Sequence, residues 1–255
     1  MDKLGRDSKR NTRKNTVAPV GNIGKTRKVG RGSLEEFRDP AILKIRTTED
    51  MVELLRRRGH GAGFFTKGRE VYVWNKMEKN YHYTLTEPAG KHFAPGFRPA
   101  LSPAAILAAG AFEGKYLNDC VLEFPREWFL AAIRRDRLRP GEADVGVNKF
   151  GVDSRQPLSV WKRNGWLPGA GRKSGAQHPA LSDPKANPDE RGWFQWYCRY
   201  WMGRRLPEID EIQIKRWKAF SRHAGQIKAN CKPRDLSCRP RQRQGLLQWA
   251  YSPYI

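Results

Sequence analysis

Lys115, Asp119 and Glu123 recur at i, i+4 and i+8, a spacing that puts them on one face if residues 115–123 are helical. A lysine held between a carboxylate and water can act as a base, a nucleophile or an ion-pair partner. Cys120 follows Asp119 directly and would react if its thiolate were stabilised. The same four residues also read as a surface ion pair with a buried thiol filling space. A second group is basic. Residues 191–244 hold fourteen Lys or Arg against four acids, a net charge of +10. Arg204 and Arg205 close one expected helix, where the dipole favours cations. Arg239, Arg241 and Arg243 open another, where the dipole opposes them unless an anion such as phosphate binds.

Metal chemistry has little support. His223, Cys231 and Cys238 are spaced by eight and seven, with no fourth ligand at a matching spacing. No strand-then-GxGxxG unit and no Gly-x-Ser-x-Gly elbow occurs, so no cofactor is expected.

The element that must position the basic residues begins at Trp193. Trp193, Trp196, Tyr197, Tyr200, Trp201 and Arg204 follow the i, i+3, i+4, i+7, i+8, i+11 pattern of one helical face. Phe194, Cys198 and Met202 widen the apolar strip, so the helix should be central and packed on most sides. Its polar remainder, Gln195, Arg199, Arg204 and Arg205, is then the part available to phosphates.

Around that helix the cap and turn signals predict the other elements. Thr47 caps a helix to residue 58, with Met51, Leu54 and Leu55 inward. Residues 63–66 and 70–74 flank Lys67-Gly68-Arg69 and read as a hairpin, with 81–85 as a third strand. Tyr72, Trp74 and Tyr81 on that sheet either stack on bases or close the sheet on the helices. Ser102-Pro103 opens a helix. Pro125 opens another over 126–137. Residues 208–230 form one long amphipathic helix, and Pro240 opens the last. The fold class is α+β and mainly helical, with a small antiparallel sheet near the N-terminal side and a helical C-terminal half. Residues 1–38 are expected to form a disordered basic arm, and 39–255 a single domain with a flexible insertion at 167–191.

Composition narrows the partners. The chain has 255 residues and a net charge of +23, with a sequence pI near 10.3. Such a field favours polyanions, nucleic acid before anionic membrane. Residues 1–34 alone carry ten Lys or Arg against two Asp and no aromatic ring. That segment cannot bury enough apolar surface to offset its ordering entropy. It reads as a tether to phosphates, or as a solubilising or address-carrying tail. No run approaches the roughly 20 apolar residues of a membrane span, and the start lacks an apolar signal region. The four cysteines form no CxxC pair and read as reduced thiols of an intracellular protein, cytoplasmic or nuclear.

Two resemblances follow from particular residues. Residues 167–174, Leu-Pro-Gly-Ala-Gly-Arg-Lys-Ser, resemble the hairpin of helix-hairpin-helix proteins, whose glycine amides hold a DNA phosphate. Pro179 cuts off the second helix such a motif needs, so the run reads as loop. Residues 191–200, Arg-Gly-Trp-Phe-Gln-Trp-Tyr-Cys-Arg-Tyr, with 241–244 and 249–251, resemble a family of uncharacterised proteins. The likeness runs from about Pro103 to the end, and the 167–187 stretch is longer than the usual connection. It implies no activity.

The expected function is nucleic-acid binding, DNA or RNA, with phosphates contacted by the arm and by Gln195, Arg199, Arg204, Arg205, Arg239, Arg241 and Arg243. Two alternatives stand beside it. One is an enzyme acting on nucleic acid or a phosphorylated small molecule, with Lys115, Asp119 and Glu123 facing Arg204 or Arg205 across a pocket. The other is a structural component of a ribonucleoprotein or capsid.

Overall fold

A computed structural model describes residues 33–164, 168 and 178–255. Most of the expected basic arm, and the 167–174 run apart from Pro168, lie outside these residues. The fold is α+β and mainly helical, with one antiparallel pair of strands towards the N-terminal side.

Helix α1, Leu34–Phe37, buries Phe37 in the core, so folded structure begins before the expected boundary at 39. Helix α2 runs Thr48–Arg58. Thr47 Oγ1 accepts from Asp50 N at 3.1 Å and Asp50 Oδ2 accepts from Thr47 N at 2.9 Å, a reciprocal cap. Met51, Leu54 and Leu55 face inward. The hairpin differs from the expected one. Residues 62–64 form a 3₁₀ turn, and the two strands are β1, Glu70–Val73, and β2, Tyr81–Thr84. Val71 pairs with Tyr83, and Val73 with Tyr81. The reversal thus falls at 74–80 rather than at Gly68, because alternate burial of Val71, Val73 and Tyr83 pulls these two runs together. Tyr72, Trp74 and Tyr81 are half-buried and packed on the core, closing the sheet on the helices.

Helix α3, Pro103–Ala109, starts with the Ser102 hydroxyl accepting from Ala105 N at 3.2 Å. It lies against α4, Arg126–Arg134. Two short helices follow, α5, Leu158–Arg163, and α6, Pro179–Ser182. Then comes α7, Trp193–Met202, buried at every position except Trp201. Glycines bound it. Gly192 (φ 78°) has no room for a side chain, since a Cβ would sit 2.7 Å from the Trp161 ring. Gly203 (φ 108°) takes the left-handed cap. The ring of Phe97 packs edge-on against Trp217 at 4.8 Å, Tyr200 at 5.5 Å and Trp196 at 5.8 Å.

The long helix expected over 208–230 is two helices, α8, Pro207–Phe220, and α9, Arg222–Asn230. They part at Ser221, whose N–H bonds Lys218 O and tightens the turn. Phe220 thereby stacks on Trp249 at 4.6 Å. Helix α10, Pro240–Gln248, packs on α9. A Cys231–Cys238 disulfide ties α9 to the approach of α10, correcting the expectation of four thiols, while Cys120 and Cys198 are buried thiols. Among the described residues no helix is long and apolar enough to cross a membrane.

Candidate functional site

Residues 115–123 do not form a helix. Glu113 (φ 57°) just before them and Leu117 (φ 62°) within them take left-handed backbone, so the i, i+4, i+8 alignment is lost and the three candidate residues part. Lys115 Nζ donates to the carbonyls of Pro140 and Gly141, and burial pulls its pKa below the ordinary value. Asp119 accepts from Lys76 N at 3.0 Å and from Arg191 Nη2 at 2.8 Å. Glu123 lies deeper, against Arg199.

The arginines expected at the surface are mostly interior. Arg199 is fully buried and touches three carboxylates: Glu123 at 2.6 Å, Glu78 at 2.8 Å and Asp189 at 3.0 Å. Arg204, 1 % exposed, meets Asp189 at 2.6 and 2.9 Å in a two-pronged pair. Gln195 donates to Glu78 at 2.9 Å and accepts from Arg191 N at 2.9 Å. Tyr83 donates its hydroxyl to Glu123 at 3.2 Å. Two guanidiniums thus face three carboxylates in a closed volume. Burial pushes the Glu123 carboxyl up, and the neighbouring Glu78 charge adds to this against the pull of Arg199.

The remaining basic candidates divide. Arg243, fully buried, donates to the carbonyls of Asp235, Cys238, Pro253 and Ile255. It pins the C-terminal segment and satisfies its charge with carbonyl oxygens rather than an external anion. Arg205 lies over the Tyr200 ring at 3.9 Å and donates to the carbonyls of Tyr200, Arg204, Lys91 and His92. Arg239 is half-buried as the cap of α10, and Arg241 is exposed. Gln195, Arg199, Arg204 and Arg243 are therefore corrected from surface contacts to internal ones, because each is closed off from solvent by its own partners.

A cavity of about 680 Å³ opens beside this charge cluster. It joins Lys115 and Asp119 to α7, but at the helix's first residues, Gly192, Trp193 and Phe194, and not at Arg204 or Arg205. One wall is Phe112, Tyr116 and Phe194, with ring separations of 4.6 to 5.7 Å. The other is Trp193 stacked on Trp249 at 4.6 Å, with Arg216 lying 5.6 Å from the Trp249 ring. Sequence reasoning missed Glu78, Asp189, Glu190 and Arg216. A usable signal existed: Arg199 sits in mid-helix with apolar residues all round, and a cation so placed must find buried carboxylates.

Glu190 lines the cavity without a cation partner among the described residues, and burial, then the Glu78 charge, raises its pKa. The folded state therefore holds this proton more tightly than the unfolded chain does. Its ionisation weakens the fold as pH rises from the ordinary glutamate value of 4.5 through the raised one. Relative to the natural chain, Glu190→Gln should gain urea resistance as pH rises above the ordinary value of 4.5. Parallel stability curves for the two proteins would refute the placement.

Comparison of the chain with protein-family models, with curated proteins and with solved structures returns no match.

Proposed function

We propose that the chain is a nucleic-acid-binding protein whose phosphate contacts come from the exposed C-terminal face rather than from the arginines of α7. The observation that carries this reading is the surface of α8, α9 and the turn after them. Lys215, Lys218, Arg222, Lys228, Lys232 and Arg234 are exposed there, and Arg241 is exposed on α10. Only Lys215 has a carboxylate partner among the described residues, Glu211 at 2.6 Å. Of the acids on α8, Asp210 is turned inward to the Trp196 indole N–H at 2.8 Å, while Glu208 and Glu211 are exposed. Six cations without a carboxylate partner on consecutive elements add to a positive local field, which favours a phosphate backbone that releases its counterions on binding. The +8 of residues 1–34 adds to the same field.

The test is binding of labelled single- and double-stranded DNA and RNA at about 50 mM salt. Wild-type protein should bind at least one of them. The triple variant K218E/R222E/K228E should bind it more weakly by roughly two orders of magnitude. Absence of binding to all four at low salt would end the proposal.

A further inference from the structure

The cavity beside α7 is not used by a phosphate-binding outer face, and its chemistry is of another kind. Its lining includes two stacked ring pairs, Phe112 with Tyr116 and Trp193 with Trp249, whose faces are turned to each other. Its volume of about 680 Å³ falls in the range of sites that take small organic ligands, about 300–1,000 Å³. Its charge is biased. Asp119 is matched by Arg191, and Asp189 by Arg199 and Arg204. Lys76, Lys115 and Arg216 line the cavity with no carboxylate within ion-pair distance among the described residues, against Glu190 alone on the acidic side.

Arg216 is the most informative of these. One guanidinium nitrogen donates to Gln213 Oε1 at 2.7 Å, and the rest of its fork has no acceptor among the described residues. Burial weakens its hold on its proton, with no opposing carboxylate. A half-buried cation of this kind gains from an incoming carbonyl or anionic oxygen. The first turn of α7 opens on the same space, and its Gly192 cap offers no side-chain acceptor.

We infer that the cavity receives a single unstacked nucleobase from a bound strand, held among the ring edges of Phe112, Tyr116, Trp193 and Trp249, with Arg216 on its polar edge and Lys76 for the flanking phosphate. This inference rests on the nucleic-acid-binding reading. A ligand that is both planar and anionic uses the rings and the cations together, and a nucleotide is both. A base still paired and stacked cannot reach the walled space, so the strand must present it unpaired.

The experiment compares two duplexes of identical sequence, each with one bulged nucleotide, adenosine in one and an abasic residue in the other. Wild-type protein should prefer the base-bearing bulge by roughly tenfold. R216Q and, independently, W161L, which removes the indole packed on Gly192 at the cavity, should bring that ratio within about twofold. K218E should weaken both affinities and keep the ratio. A wild-type ratio of one, with clear binding to both duplexes, overturns the base pocket and leaves the outer face standing. A preference that survives R216Q also overturns it. If neither duplex binds at low salt, the nucleic-acid reading falls and the pocket with it.

Discussion

Arg199→Met should lower the stability of the protein by about 3–5 kcal/mol, enough to move its thermal midpoint down by roughly 10 °C. The substitution keeps an unbranched stem but removes the guanidinium and its charge. Glu78, Glu123 and Asp189 then remain in a volume where Arg199 alone had touched all three, and Asp189 keeps only Arg204. Removing one partner of a buried cluster costs more than the cluster itself contributes, because the stranded charges have no water to turn to. Glu123→Gln should be far milder. Arg199 keeps Glu78 and Asp189 as partners in that variant, so no buried charge is stranded. Chemical denaturation of the two variants side by side decides the matter. If R199M costs no more than E123Q, the cluster is not the frame of the fold.

Gly203→Ala is the second large effect, at about 3–4 kcal/mol. The residue holds φ 108°, which costs an L side chain about 1–2 kcal/mol. A Cβ there would also overlap the Glu87 carbonyl oxygen. The backbone must withdraw, and with it the Gly203 carbonyl that accepts from Thr86 N at 2.9 Å and Glu87 N at 3.1 Å. Those bonds fasten the end of α7 to the chain leaving β2, close to Arg204. The same measurement applies: a G203A protein with an unchanged denaturation midpoint would show that this junction carries no constraint.

Local signals were legible in the amino-acid order, and long-range pairing was not. Thr47 with Asp50, Ser102 with Pro103, and Pro240 each announce a helix start because the interaction closes within a few residues. The period of Trp193, Trp196, Tyr197 and Tyr200 announces a buried helix for the same reason. The hairpin was displaced because Gly68 marks a turn locally, while the strand pairing is decided by which residues the core can bury. The arginines were misplaced for a stronger reason. Arg199 finds Glu123 at a separation of 76 residues and Glu78 at 121, and no spacing rule connects such positions. Lys115, Asp119 and Glu123 share a helical spacing without a helix, because the left-handed Leu117 breaks the run. The cavity assembles from residues 42 to 249 and had no sequence signature beyond the abundance of rings.

Two populations of arginine and lysine follow from this. The interior ones hold the frame and should be blind to salt. The outer ones on α8, α9 and the following turn should be sensitive to it. The salt dependence of nucleic-acid affinity separates them. Log affinity should fall linearly with log salt in the wild type, with a slope of about −0.9 for each phosphate neutralised on duplex DNA. In K218E/R222E/K228E the slope should be shallower by about 3, at roughly one phosphate contact per residue. An affinity indifferent to salt, or a slope identical in wild type and variant, would contradict the assignment of phosphate binding to this face.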